Sequence, residues 1–252
     1  MGYVKYISAA IVVALSLGSI SCTTTQVQEP VASATEREVS AVLMPTLAFI
    51  PSPKVDKKGN AVPYKAVANP YLKARGSIKK STVVQFIEAR RAYRADNIDV
   101  AEKILTELLE HEKKLSGPWV MLGDIALQRN DLTLAHTQFK RALRVNRFNV
   151  NAHLRLAKVQ RMQGQFITAQ NTYANALSIW KDFPEGHLNL AILYDVYLND
   201  AQKAQQHMEA YQFLTGGSNT EATLWLEELQ QRTGTDVQLP IQQATAAPKP
   251  VS

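Results

Sequence analysis

Small and large apolar residues recur along residues 82–217 with a period of 34, far longer than the repeat of a single helix or strand. Four positions of the 34-residue unit carry the pattern: the eighth (Ala89, Gly123, Ala157, Ala191), the twentieth (Ala101, Ala135, Ala169 and Lys203 beside Ala204), the twenty-seventh (Leu108, Ala142, Ala176, Ala210) and the twenty-eighth (Leu109, Leu143, Leu177, Tyr211). A fixed period of this length indicates a repeat architecture. We therefore predict four units, at 82–115, 116–149, 150–183 and 184–217.

Each unit is predicted to contain two helices joined by a short turn. Small residues at the eighth, twentieth and twenty-seventh positions let two helices cross closely. Pro118 and Pro184 lie where first helices begin, a place that tolerates proline. Residues 220–232 carry spaced leucines and are predicted to form a helix that caps the last unit. Turn-forming residues lie near the fifteenth position, where the first helix should end: Asp96-Asn97, Asn130-Asp131, Gly164 and Asn199-Asp200.

The second unit has the most specific pattern of apolar and small residues. It carries Trp119, Leu122, Gly123, Ala135, Phe139 and Ala142. In these positions it resembles the tetratricopeptide repeat (TPR), a 34-residue helix–turn–helix. The resemblance implies an all-α fold, an α-solenoid of about four TPR helix-turn-helix repeats plus a C-terminal capping helix, spanning residues 81–234.

The first 22 residues are typical of a bacterial lipoprotein signal. Lys5 precedes an uncharged, mostly apolar run, Ile7 to Ile20, which is shorter than the ~20 residues that span a bilayer. The segment then resembles a lipobox ending at Cys22, with Ser19 in place of the usual leucine. We predict removal of residues 1–21 and acylation of Cys22, which anchors the chain at the periplasmic face of the outer membrane. An ordinary signal peptide is the alternative.

The regions on either side of the repeats differ from them in composition. Residues 22–80 contain six of the eleven prolines and no helical periodicity, so a largely irregular tether is predicted. An apolar segment at 41–50 interrupts the tether, and two interpretations stay open: docking on the repeats or binding to a partner. Residues 235–252 are rich in Gln, Ala, Thr and Pro, which predicts a disordered tail.

Charge and motifs favour binding over catalysis. The formal net charge is +6 without a block of five like charges, and with an export signal this predicts no nucleic-acid partner. The chain has no Gly-rich phosphate loop, no His-Glu-x-x-His and no Cys-x-x-Cys, so no cofactor, small-molecule substrate or enzymatic activity is predicted. His153 and His187 occupy the repeat position of Trp119, and packing is favoured over metal ligation because no third ligand is evident.

The resemblance to TPR proteins implies a protein-binding groove lined by the first helix of each repeat. Five of its eleven polar or aromatic members are basic and two are acidic, so the expected ligand is an acidic or C-terminal carboxylate segment of a partner protein. A merely solvated set of helix faces is the alternative. The eleven are Arg90, Tyr93, Arg94, Asp124, Gln128, Asn151, Arg155, Lys158, Arg161, Asn189 and Asp195.

The order of signal, tether, repeats and capping helix resembles TPR lipoproteins of Gram-negative bacteria. The stretch at 187–198 and the segment Leu214–Gly217 are similar to members that accompany TonB-type energy-transduction systems. We therefore predict a membrane-anchored adaptor or assembly factor that faces the periplasm. A pilotin-like factor for type IV pilus secretin assembly and a structural homo-oligomer are the alternatives.

Overall fold

The structure, a computed structural model, describes residues 42–54, 56–58, 60, 62–73 and 78–235. The predicted signal peptide at 1–21, Cys22 and residues 236–252 of the predicted tail lie outside the described residues. Every regular element among the described residues is helical. None of these helices is both long and apolar enough to cross a membrane.

Paired helices make up the described chain from residue 80 onward. The pairs are α1 (Lys80–Arg94) with α2 (Ile98–His111), α3 (Ser116–Gln128) with α4 (Leu132–Val145), α5 (Val150–Met162) with α6 (Phe166–Ile179), and α7 (Pro184–Ile192) with α8 (Ala201–Thr215). A π-helical turn (Leu193–Tyr197) extends α7, and α9 (Thr220–Thr233) packs on α8. Before α1 there are two single turns, a 3-10 turn (Leu47–Phe49) and an α-helical turn (Pro70–Lys73). The predicted α-solenoid of four helix pairs and a capping helix is confirmed.

Small residues lie where the two helices of a pair meet. Ala89, Ala135 and Ala169 have no exposed surface. At Gly123 a Cβ atom would lie 2.3 Å from Cε1 of Phe139, so only glycine lets α3 and α4 approach this closely. Large residues such as Phe139 fill the volume beside these small residues and form the core.

Each pair turns at one residue whose backbone is left-handed. These residues are Asp96, Asn130, Gly164 and Asn199, with φ of 60°, 58°, 77° and 51°. Glycine, asparagine and aspartate tolerate this conformation better than other residues do. The predicted turn positions are therefore confirmed.

The fourth pair contains one residue more than the other three. The left-handed residues are 34 apart in the first three pairs, whereas Asn199 follows Gly164 by 35. The π-helical turn accommodates the extra residue, because the N–H of Leu198 bonds to the carbonyl of Leu193, five residues back. The N–H of Asp200 then reaches back six residues, to the carbonyl of Tyr194 at 2.9 Å.

This insertion corrects the predicted alignment of α8 by one residue. The strict period placed Lys203 at the twentieth position and Ala210 at the twenty-seventh. In the structure Ala204 lies in the core, while Lys203 is half-exposed and pairs with Asp200 at 2.6 Å. Counted with the inserted residue, Tyr211 takes the twenty-seventh position and packs against the core cluster, and Ala210 beside it is completely buried.

Residues 42–54 and 62–73, which we call the strap, lie against the repeats. The backbone N–H of Met44 donates to Oδ1 of Asn171 (2.7 Å), and Phe49 packs on the core cluster. Later in the strap, the Tyr64 hydroxyl donates to Oδ1 of Asp182 (2.5 Å), and Trp180 Nε1 donates to the carbonyl of Val67 (2.6 Å). Of the two interpretations of the 41–50 segment, docking on the repeats is confirmed for residues 42–50. The described part of the predicted tether is therefore held on the repeats over much of its length.

Candidate protein-binding face

Polar side chains link the first helices of successive repeats on one side of the molecule. We call this side the first-helix face, defined by the eleven predicted groove residues. Three of its contacts are Gln128 Nε2 to Asp96 Oδ1 (2.8 Å), Arg155 Nε to Asp124 Oδ1 (2.6 Å) and Arg161 Nη1 to the Tyr197 hydroxyl (3.0 Å). Each contact joins one repeat to the next, so these predicted groove residues also hold the array together.

Arg155 and Asp124 form a partly buried ion pair between α5 and α3. Arg155 Nε donates to both carboxylate oxygens, at 2.6 and 2.9 Å. Burial raises the pKa of Asp124, and the positive charge of Arg155 opposes that rise. Since Arg155 is already neutralised, it is a weaker candidate for binding a partner carboxylate than the sequence suggested.

Asp195 and Asn189 have partners inside the molecule as well. Asp195 accepts bonds from Trp225 Nε1 (2.8 Å) and Arg232 Nη2 (2.5 Å), both on α9. Asn189 Nδ2 donates to the carbonyl of Glu185 at 2.8 Å. Asp195 therefore fastens the capping helix, a role that its position in a repeat could not reveal.

Five of the eleven side chains form no hydrogen bond or ion pair with any described residue. Lys158 is exposed on α5, and it is the unpaired member of the predicted strip of Arg155, Lys158 and Arg161. Arg90 and Arg94 lie one turn apart on α1, and Asn151 begins α5. Tyr93, the fifth of these side chains, is half-buried, and burial together with the charge of Asp124 raises its pKa.

Exposed apolar side chains accompany these cations on the first helices. Ile87 on α1 is 40% exposed, Met162 at the end of α5 is 47% exposed, and Val196 in the π-helical turn is 63% exposed. A surface that combines unpaired cations with accessible apolar groups can bind a peptide through both charge and area burial. The first-helix face has this composition.

The histidines at the Trp119 position bind backbone carbonyls. His153 Nε2 bonds to the carbonyl of Arg147 (2.9 Å) and His187 Nε2 to that of Lys181 (2.8 Å), in each case six residues back. They join the start of a first helix to the loop before it. In the part of the chain that the structure describes, no three His, Cys, Asp or Glu side chains are arranged to hold a metal ion.

Sequence reasoning missed the side chains that hold the strap. These are Gln170, Asn171, Asp182, Tyr194 and His207. They lie on the second helices, in the loop before α7 and in the π-helical turn, where repeat patterns assign only packing roles. One signal existed in the sequence, since α8 carries polar residues on several sides, among them Gln205, His207, Glu209 and Gln212. All four are buried in the structure; His207 bonds to the strap, whereas Gln205 and Gln212 bond to Thr235 and Thr223. A polar helix can be buried in this way only if other chain segments pair with it.

Comparison with known proteins places the fold among solved structures. No family model and no curated protein matches the sequence. MamA (residues 41 to end) from Desulfovibrio magneticus RS-1 is 18% identical, with a TM-score of 0.52 over 63% of this chain and 88% of that chain. TTC0263, a thermophilic TPR protein of Thermus thermophilus, is 19% identical, with a TM-score of 0.51 over 60% and 81%. The chain therefore has the fold of a tetratricopeptide-repeat solenoid.

Proposed function

We propose that this chain is a non-enzymatic, lipid-anchored adaptor or assembly factor that binds a partner protein in the periplasm through its first-helix face. The observation that carries the proposal is that Arg90, Arg94 and Lys158 form no hydrogen bond or ion pair with a described residue, on helices that also expose apolar side chains. An acidic or C-terminal carboxylate segment complements them, because guanidinium groups bind carboxylates in a bidentate geometry. The fold supports a binding role, since solenoids present long surfaces to partners.

The test of this face is charge reversal at the three unpaired cations, Arg90→Glu, Arg94→Glu and Lys158→Glu together. Arg155 is left unchanged, because its loss would leave the Asp124 carboxylate partly buried and unpaired. We expect partner capture from detergent-solubilised membranes to fall at least tenfold, about 1.4 kcal/mol in affinity. Capture by the unaltered chain should also weaken as salt increases, because long-range attraction between charges is screened.

Lys140→Glu is a control for charge reversal outside this face, since Lys140 is exposed on the second helix α4. It changes charge in the same direction but leaves the first-helix face intact, so capture should be unchanged. Recovery of the same partners by the triple variant, with the same salt response, would exclude this face as the binding site.

The membrane anchor is tested separately at Cys22. Cys22→Ala should abolish incorporation of a metabolic fatty-acid probe and leave an uncleaved precursor or a soluble product. The motivation is the lone cysteine at the end of a short apolar run. A labelled Cys22→Ala protein would disprove acylation at this residue.

An accessory role in a TonB-type energy-transduction system is the process that we propose for the adaptor. It rests on the similarity of residues 187–198 to such lipoproteins. Crosslinking in cells followed by mass spectrometry should recover components of that system. Secretin subunits among the crosslinked proteins would favour a pilotin-like role instead, and size-exclusion chromatography of the purified chain tests the homo-oligomer.

A further inference from the structure

A pocket opens between the first two repeats, away from the first-helix face. Its volume is about 420 Å³, within the range of ligand-binding pockets. The second helices α2 and α4, Lys113 just after α2, and the first half of α3 line it. Leu109 and Leu122 provide apolar surface, and the polar side chains in the next paragraphs surround them.

Two buried polar atoms in the pocket lining have no hydrogen-bond partner among the described residues. One is the donor Nε1 of Trp119, and the other is the acceptor Oε1 of Gln138, whose residue is 8% exposed. Burying such groups unpaired is unfavourable, so proteins rarely keep them without a reason. A ligand that offers both an acceptor and a donor would pair the two atoms, and a peptide backbone offers both.

The strap shows how this molecule binds an extended peptide with the same two kinds of side chain. Gln170 Nε2 donates to the carbonyl of Met44 (2.8 Å), and Oε1 of Gln170 accepts from the Met44 N–H (3.2 Å). Trp180 Nε1 donates to the carbonyl of Val67 (2.6 Å). A glutamine amide and an indole N–H thus bind the backbone of the strap.

The strap also contacts the fourth repeat at the position that corresponds to the pocket. Counting the residue inserted in the π-helical turn, His207 corresponds to Gln138 and His187 to Trp119. His207 Nε2 bonds to Oγ1 of the strap residue Thr46 at 2.8 Å. In the second repeat the hydroxyl of the strap residue Tyr71 lies 3.1 Å from Oγ of Ser116, at the start of α3, while Trp119 Nε1 and Gln138 Oε1 have no hydrogen-bond partner among the described residues.

The charge of the pocket indicates which side chain the ligand carries. Arg141 lies with its guanidinium 5.2 Å from the centre of the Trp119 ring, and Lys113 is nearby in the lining. Glu110 is the one acidic residue of the lining, and none of these three charged groups forms an ion pair with a described residue. With two cations and one anion, the pocket favours an acidic side chain.

We propose that this pocket binds an extended segment of a partner protein that carries an acidic side chain. Trp119 and Gln138 bind the backbone of that segment as Trp180 and Gln170 bind the strap, and Arg141 and Lys113 face its carboxylate. The pocket is a second binding site, independent of the first-helix face.

The experiment uses the full mature chain and a library of random 12-residue peptides displayed on phage. Selected peptides are resynthesised with a fluorescent label, and their affinity is measured against single variants. We expect Asp or Glu in the selected sequences and at least a tenfold loss of affinity in both Trp119→Phe and Gln138→Leu. The thermal stability of Gln138→Leu should be equal or higher, because leucine removes a buried unpaired acceptor. If Gln138 had only a structural role, the Gln138→Leu variant would have a lower thermal stability instead.

The triple variant of Arg90, Arg94 and Lys158 is the control for the other site, and it should bind the selected peptides normally. Peptides that lose affinity in that triple variant, but not in Trp119→Phe or Gln138→Leu, would assign the binding to the first-helix face and overturn the proposal. Sequences resembling residues 42–67 would mean that the strap of a second copy is the occupant, which also overturns it. A library that yields no binder overturns it as well.

Discussion

At the scale of single residues, a directed chain of hydrogen bonds joins the strap to the repeats through two neutral histidines. The carbonyl of Lys181 can only accept, so His187 donates from Nε2 and accepts at Nδ1 from Nδ1 of His207, at 2.9 Å. His207 then accepts at Nε2 from the hydroxyl of Thr46, and the oxygen of Thr46 accepts from the Tyr194 hydroxyl. All four of these side chains are buried and each has one donor role, so the network specifies where the strap docks.

Thr46→Val removes the central hydroxyl of this network and keeps the shape of the side chain. It leaves Nε2 of His207 without a donor, so we expect the free energy of unfolding to fall by about 1–3 kcal/mol. Urea denaturation measures the change. Thr46→Ser, which retains the hydroxyl, should lose much less, and equal values for the two variants would contradict the network.

The same histidines predict that acid destabilises the fold. Burial lowers the pKa of His187 to about 4, and burial together with the neighbouring His187 holds the pKa of His207 well below its usual range. Between pH 6.5 and 4 the unfolded chain therefore takes up protons that the folded chain cannot. Stability is fully present above pH 6.5 and falls by about 1.4 kcal/mol per pH unit for each histidine, or about 3 kcal/mol for His187 down to pH 4.

Denaturation midpoints measured from pH 7.5 to 4.5 check this dependence. His187→Gln keeps a donor and an acceptor but cannot be protonated in this range. We expect a shallower decline with pH in this variant than in the unaltered chain. Parallel declines in the two proteins would show that other groups cause the acid sensitivity.

At the scale of elements, the π-helical turn Leu193–Tyr197 decides which face of α8 enters the core. One inserted residue rotates a following helix by about 100°, since an α-helix has 3.6 residues per turn. The π-helical turn accommodates this rotation. Ala204 therefore lies in the core of the fourth repeat, at the position that Ala169 occupies in the third repeat. Sequence spacing alone put Lys203 in that place.

Paired substitutions in α8 test the corrected register. Ala204→Leu should destabilise the protein by about 1–3 kcal/mol, because Ala204 is completely buried and leucine overfills the site. Lys203→Leu should cost less than about 1 kcal/mol, since Lys203 is half-exposed and its ion pair with Asp200 is a surface one. Thermal or urea denaturation gives both values, and the reverse order would restore the strict 34-residue register.

At the scale of the whole molecule, the strap and the capping helix stabilise the C-terminal half of the solenoid from different sides. The strap contacts α8, where Thr46 bonds to His207 and Tyr64 packs edge-on against Phe213 at 4.9 Å between ring centres. The capping helix α9 covers the end of the array and is fastened to Asp195. End repeats of solenoids need such covers because one of their faces lacks a neighbouring repeat.

A variant that lacks residues 42–73 should therefore be much less stable than the full chain. It exposes Phe213 and leaves Asp182 and His207 without strap partners, so a loss of roughly 3–5 kcal/mol is expected from several lost bonds and newly unpaired buried groups. Denaturation of the two purified proteins measures the loss. Removal of residues 236–252 is the control deletion, and an equal effect of both deletions would show that the strap contributes no specific stability.

The class of fold, the number of helix pairs and the residues at which each pair turns could all be predicted from the sequence. This was possible because small residues and turn formers act locally and recur with the 34-residue period, as Ala135 and Asn130 do. The docking of the strap, the one-residue shift of α8 and the partners of the predicted groove residues could not be predicted in this way, because they depend on how the repeats pack. Contacts such as Thr46 to His207 and Asp195 to Arg232 join residues that are distant in sequence and follow no period, and such contacts form only once the array is assembled. The single residue inserted in the π-helical turn could not be predicted from the 34-residue period either. Lys203 and Ala204 are neighbours in sequence, and only their burial in the structure shows that Ala204 is the one in the core.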